Sequence, residues 1–181
     1  MTVSAHGVVT VTGGKLTTYR KMAQDTVDTV VGRMGESPRR RRCITKSLPL
    51  IGATTKTRDP VALAQPRGRL LGRYGNESSA VLAVAEGRPE LLEPFVAGLP
   101  YTGAELVYAV REEMARTLDD VLSRRTRATI QRAHDAMGAA AAVAALLAPD
   151  MGWNEEEAAD QAVRYSESCQ KELLTAGLDL P

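Results

Sequence analysis

The chain is expected to be mainly α: a helical bundle domain preceded by a short strand, a glycine turn and one helix. Three observations predict this. Hydrophobic residues make up 44% of the 181 residues but aromatics only 4%. The interior must therefore be built largely from Ala, Leu and Val, which suits closely packed helices better than a β sandwich. Beyond residue 59, apolar positions recur at helical spacing between capping signals. Residues 8–11, four β-branched residues in a row, are the strand candidate.

Taken in order, residues 8–11 (Val-Val-Thr-Val) read as a strand with no evident partner nearby, and an isolated strand is marginal in water. Gly13-Gly14 then turn the chain into a helix over residues 17–34. Leu16, Tyr19, Ala23, Val27 and Val30 can share one face of it, and Gly35, Ser37 and Pro38 stop it. Four arginines, Arg39 to Arg42, follow. They read as a solvated linker, or as an attachment to an anionic lipid surface or nucleic acid at about 1 kcal/mol per basic residue. Residues 43–58 carry Pro49 and Gly52 and read as an extended tether.

Helical patterning begins with Asp59 as cap and Pro60 at the first helical position. Leu63, Leu70 and Leu71 give an apolar stripe, Arg67 and Arg69 stay wet, and Pro66 delays or bends the helix. After the break at Tyr74-Gly75-Asn76, Asn76 is expected to cap a helix over 77–86, with Ser79 outward and Val81, Leu82 and Ala85 inward. Residues 87–100, rich in Gly and Pro, read as a looser region. Thr102-Gly103-Ala104-Glu105 fits a capping box, followed by a face of Leu106, Ala109, Val110 and Met114. Thr117-Leu118-Asp119-Asp120 is a second cap pattern, with Leu118, Val121 and Leu122 inward. An alanine-rich helix spans 130–148 and is expected to end at Pro149. Asn154, followed by three glutamates, caps the last helix. That helix is lined by Ala158, Ala162, Tyr165, Cys169 and Leu173 and stops at Gly177.

Composition narrows the function classes. A net charge of +1 supplies no bulk attraction to nucleic acid. Cys43 and Cys169 are too few for a disulfide framework or a zinc site and read as reduced thiols. The most apolar run, residues 138–148, is shorter than the roughly 18 residues of a membrane span and reads as a buried helix. No secretory signal opens the chain, and a strand so close to Met1 suggests a piece of a longer protein, cut inside a cofactor domain. His6 reads as exposed, and His134, beside Asp135 among alanines, as a helix-surface or interhelical residue rather than a general base.

The segment richest in chemistry is Gly13-Gly14-Lys15-Leu16-Thr17-Thr18-Tyr19-Arg20. Its glycines let a ligand approach the backbone without a Cβ in the way. The N–H groups at the start of the helix favour negative charge, and Lys15 adds a mobile positive one. The physical reading is a small anion cradle; the bland alternative is an ordinary strand–turn–helix junction. Arg124-Arg125-Thr126-Arg127 with Asp119 and Asp120 reads either as a phosphate patch or, preferably, as arginines pairing with Asp119, Asp120, Glu112 or Glu113 and capping helix carbonyls.

The Gly-Gly-Lys-Leu-Thr-Thr-Tyr-Arg segment resembles the last flavin-contacting turn of FAD-dependent, quinone-linked (aerobic-type) glycerol-3-phosphate dehydrogenases. Gly98-Leu99-Pro100-Tyr101, Tyr108-Ala109-Val110-Arg111 and the stretch Thr117-Leu118-Asp119-Asp120-Val121-Leu122-Ser123-Arg124-Arg125-Thr126-Arg127 are similar to their helical C-terminal domain. Met151-Gly152-Trp153 resembles the Leu-Gly-Trp before their last helix. The resemblance implies that residues 1–42 are the end of an FAD-binding domain, 43–58 a linker and 59–181 the helical domain. It implies that Gly13, Gly14, Lys15, Leu16 and Thr17 contact FAD, and that Lys15 attracts either the substrate phosphate or the reduced flavin. It further implies oxidation of glycerol 3-phosphate to dihydroxyacetone phosphate, with electrons passed to quinone.

The partners implied are the N-terminal FAD-binding and substrate domain of the parent protein, a second copy in a homodimer, and a membrane surface touched peripherally; nucleic acid is not among them. The location implied is the cytoplasm, with the inner face of the plasma membrane as a docking surface. No Gly-x-Gly-x-x-Gly fingerprint is present, so the chain alone is expected to hold FAD poorly and to be inactive. Arg124, Arg125 or Arg127 is expected to fix the helical domain against the flavin domain. The rival reading is a non-catalytic helical interaction module that mediates dimer or membrane contacts.

Overall fold

A computed structural model describes residues 1–35, 43–53 and 66–178. It is mainly helical and divides into two compact units, Met1–Ala53 and Thr54–Pro181. Arg39 to Arg42, the stops at Ser37 and Pro38, and the expected cap at Asp59, Pro60 and Leu63 lie outside the described residues.

In the first unit, β1 (Thr2–Val3) pairs antiparallel with β2 (Val9–Thr10), setting Thr2 against Thr10 and Val3 against Val9. The strand of residues 8–11 therefore has a partner, one too short to show any alternation in the sequence. Helix α1 (Tyr19–Arg33) follows and ends at Gly35, whose φ of 78° is available to glycine at little cost. None of its residues is buried. The expected face is present but uncovered: Leu16 is 82% exposed, and Tyr19, Val27 and Val30 are exposed as well. The described part of the tether, residues 43–53, folds into two tight turns rather than running extended. Leu48 N–H donates to the Ile44 carbonyl and Ala53 N–H to that of Leu50. Arg20 holds the first turn to α1 through Gln24 (3.0 Å) and Thr45 (3.1 Å).

In the second unit, the first described helix is α2 (Pro66–Tyr74). The residues before it, on which the expected delay or bend at Pro66 depends, lie outside the described residues. A 3₁₀ turn (Gly75–Glu77) leads directly into α3 (Ser78–Ala83), so Glu77 rather than Asn76 precedes the helix. The segment between α3 and α4 is less loose than its glycines suggest. A 3₁₀ turn at Pro89–Leu92 and a bridge between Pro94 and Thr102 send Leu91, Val96 and Leu99 into the interior.

Helix α4 (Gly103–Arg111) is the centre of the unit; every residue from Gly103 to Val110 is buried. Leu106, Val107, Ala109 and Val110 join the larger core, whereas Ala104 and Tyr108 face a smaller cluster with Leu70, Tyr74, Val81 and Leu91. The helix ends at Arg111, so Met114 is not part of its apolar face. Met114 lies beyond the end at φ 59° and is 76% exposed. Thr117 and Asp120 then cap a π turn (Asp120–Arg125) reciprocally, and Leu118, Val121 and Leu122 are buried as expected.

The long helix is broken. α5 (Ala128–Gln131) and α6 (Ala133–Met151) are separated at Arg132, whose backbone leaves helical geometry at φ −152°. Its guanidinium lies against Gly98, where an added Cβ would sit 3.1 Å from Cζ. Pro149 does not end α6. It and Ala145, whose carbonyl loses its N–H partner, are on the exposed face, where water replaces the bond. The terminator is Gly152 at φ 70°, with Trp153 N–H donating back to the Ala148 carbonyl at 3.0 Å. Helix α7 (Glu155–Thr175) returns against α6, capped by reciprocal 2.8 Å bonds between Asn154 and Glu157. Ala136, Ala140 and Ala144 pack with Ala158 and Ala162 in the same core, small side chains that allow close approach of the helices.

Candidate functional site

The turn at residues 13–18 is exposed throughout. Gly13 has φ 137°, a backbone conformation that L side chains rarely adopt, and an added Cβ would lie 3.1 Å from Met22 Cε. Gly14 has nothing within 4 Å of where its Cβ would be. The turn is closed from within by Thr18, whose N–H donates to the Lys15 carbonyl at 3.0 Å and whose hydroxyl reaches the same oxygen at 3.3 Å. This corrects the sequence reading in one respect: the Thr18 amide is paired and is not offered outward. Thr18 is also the N-cap of α1, yet its side chain makes no capping bond to the helix amides. Lys15, Leu16 and Thr17 remain on the open side.

Those residues offer an open, positively polarised surface. The donors are a lysine ammonium and the backbone amides of Leu16 and Thr17, in the turn just before the N-cap of a 15-residue helix, and the approach over Gly14 is unobstructed. The donor set suits a group that takes on negative charge. In the same unit, the Cys43 thiol is held below its ordinary value by its hydrogen bond with Thr45 (3.0 Å), with the Arg20 guanidinium adding to the effect.

The arginine cluster belongs to the second unit. Arg124 pairs with both Asp119 and Asp120, the latter at 3.0 Å. Arg125 donates to the Glu113 carbonyl through Nε (3.1 Å) and Nη2 (2.6 Å) and faces its carboxylate at 3.9 Å. Arg127 stands at φ 61° and takes no ion pair among the described residues. Asp120 is held below its ordinary value chiefly by the Arg116 amide, with Thr117 adding further hydrogen bonds. Burial pushes the Glu113 carboxyl up against the opposing pull of Arg125. His6 and His134 are both exposed. Among the described residues, no group of three or more His, Cys, Asp or Glu side chains is placed to hold a metal, and no helix is long and apolar enough to cross a membrane.

One constellation escaped the sequence reading. Glu105, fully buried, is gripped bidentately by Arg69 and faced by Arg73 at 3.6 Å, while its Oε2 accepts the Thr102 amide at 2.9 Å. Both guanidinium groups also lie over the Tyr101 ring, at 5.7 and 5.3 Å. Arg69, expected to stay wet, is only 20% exposed. Arg73 continues the chain of contacts to the Arg125 carbonyl, so α2, α4 and the π turn are fastened through one set of side chains. The available signal was the spacing of Arg69 and Arg73, four residues apart on one helix face.

A family model described as the C-terminal domain of alpha-glycerophosphate oxidase matches residues 43–158. Glycerol-3-phosphate dehydrogenase 2 of Mycobacterium tuberculosis is 35% identical over 187 residues, covering 96% of this chain and 31% of the relative. Glycerol-3-phosphate dehydrogenase of Mycobacterium leprae is 36% identical over the same shares, and that of Synechocystis 31% identical over 93% of this chain and 32% of the relative. No solved structure matches the chain significantly. The chain thus spans about a third of the length of the curated relatives it matches. It belongs to the family of C-terminal domains found in glycerol-3-phosphate oxidases and dehydrogenases.

Proposed function

We propose that this chain is the C-terminal part of an FAD-dependent glycerol-3-phosphate dehydrogenase that converts glycerol 3-phosphate to dihydroxyacetone phosphate and delivers electrons to quinone. The observation that carries the proposal is the exposed Gly13–Gly14 turn, open over Gly14 and leading into α1, in a chain aligned over nearly its whole length with such dehydrogenases. When bound, FAD supplies the acceptor for a hydride from the substrate carbon. Gly13 and Gly14 bring the backbone close; the amides of Leu16 and Thr17 and the α1 N-terminus hold negative charge. The Lys15 ammonium binds either that charge or the substrate phosphate. The proton from the substrate hydroxyl is taken by a residue of the parent enzyme outside this chain, and the chain alone is inactive. Arg124 and Arg125 brace the helical domain from within through Asp119, Asp120 and Glu113.

The test is a chimera in which this chain replaces the matching C-terminal third of the Mycobacterium tuberculosis enzyme. Its glycerol-3-phosphate-dependent reduction of a soluble quinone analogue is expected to be retained, and the chain alone is expected to show none. Gly14→Val obstructs only what approaches from outside, since nothing of the chain lies within 4 Å of the added Cβ. It is expected to lower kcat/KM about a hundredfold, in the range seen when one charge-stabilising donor is lost. A folded chimera indifferent to Gly14→Val and Lys15→Ala would remove the turn from the site. A folded, FAD-loaded chimera that oxidises no glycerol 3-phosphate would remove the activity.

A further inference from the structure

Between the π turn, α5 and the C-terminal end of α7 lies a cavity of about 730 Å³. That is within the size range that accommodates small organic ligands. Its walls are largely apolar, with Ile130, Ala133, Leu173 and Leu178 prominent. Ile130 and Leu178 are 85% and 56% exposed, so this is apolar surface left in contact with water. Two charged side chains face the space, Arg127 and Glu172, and neither belongs to an ion pair among the described residues.

The local field nevertheless favours an anion. Arg127 projects from a left-handed backbone position that non-glycine residues occupy rarely and at a cost, a feature that tends to mark working sites. Helix α6 begins at Ala133 in the cavity wall, and Arg132 before it provides no side-chain cap for the first amides. Asp135, in the first turn of α6, is already neutralised by Arg132 at 2.9 Å. The opposite pole, the end of α7, is closed. Ala176, Gly177 and Leu178 donate their amides to the carbonyls of Glu172, Leu174 and Leu173 at 2.9 to 3.1 Å. An open positive helix end and a guanidinium with five donors thus stand against a single carboxylate.

We infer that this cavity binds a medium-chain anionic amphiphile, its alkyl chain against Ile130, Leu173 and Leu178 and its carboxylate on Arg127. The full chain should enhance and blue-shift the emission of a dansyl-labelled undecanoate, and decanoate below its micellar concentration should displace the probe. Decanol and decyltrimethylammonium should displace it at least tenfold less well. Arg127→Gln should weaken decanoate about tenfold, Glu172→Gln should leave it unchanged or tighten it, and Ala176→Phe should abolish binding by filling the space. Far-UV circular dichroism verifies that each variant folds, and Ala133→Leu replaces Ala176→Phe if that variant does not. Four results would overturn the inference: no emission change, equal affinity for decanoate and decanol, a preference for the ammonium, or retention of decanoate by a folded cavity-filling variant.

Discussion

Helices α1 and α4 are both amphipathic by sequence, yet α4 buries every residue from Gly103 to Val110 while α1 buries none. Periodicity only states which face of a helix seeks cover; the rest of the chain must supply it. Around α4 the second unit does so from two sides, with Leu91 and Val81 in one cluster and Leu122 and Leu147 in the other. Around α1 the first unit offers a hairpin of two-residue strands and a pair of turns, too little surface to shield Leu16, Tyr19, Val27 and Val30. The bundle thus carries its own core, whereas the glycine-turn unit displays an apolar helix face in the same chain.

The comparison is most exposed to failure at Glu105. Glu105→Ala leaves two arginines without their carboxylate and the Thr102 amide without its acceptor, and should cost the helical unit about 3–5 kcal/mol in urea unfolding followed by circular dichroism. Leu147→Ala, at a fully buried position, should cost about 2–5 kcal/mol by the same measurement. Asn154→Ala removes the acceptor for the Glu157 amide and should lower stability by about 1 kcal/mol. Val27→Ala, on the uncovered face of α1, should change it by less than about 0.5 kcal/mol; a loss as large as that of Leu147→Ala would show that the face is covered and end the contrast.

The pH response separates two carboxylates. Asp120 has its folded value below the ordinary 3.8, so its contribution is present above pH 3.8 and is lost as pH falls through the folded value. Asp120→Asn should flatten the acid limb of the stability curve below that pH. Glu113 has its folded value above the ordinary 4.5, so stability declines as pH rises from 4.5 through the folded value. Glu113→Gln should remove that decline.

What the sequence disclosed was local. The cap patterns at Thr102, Thr117 and Asn154 and the glycine stops at Gly35 and Gly177 depend on residues a few positions apart, and each appears where the spacing puts it. What it withheld was set at a distance. Arg69 meets Glu105 across 36 positions, and Arg132 leaves helical geometry to lie against Gly98. Pro149 continues a helix because its freed carbonyl partner faces water, a matter of orientation rather than propensity. At the candidate site the residue types of the turn were legible and the open space over Gly14 is consistent with them, but the internal pairing of the Thr18 amide required the turn's actual geometry.

The enclosure of α4 also bears on the chain's slow motions. A helix sealed on all sides cannot fray toward solvent one turn at a time. Its central amide protons, residues 106–110, should exchange with deuterium only when the whole bundle opens, which makes their exchange rate a direct gauge of the unit's global stability.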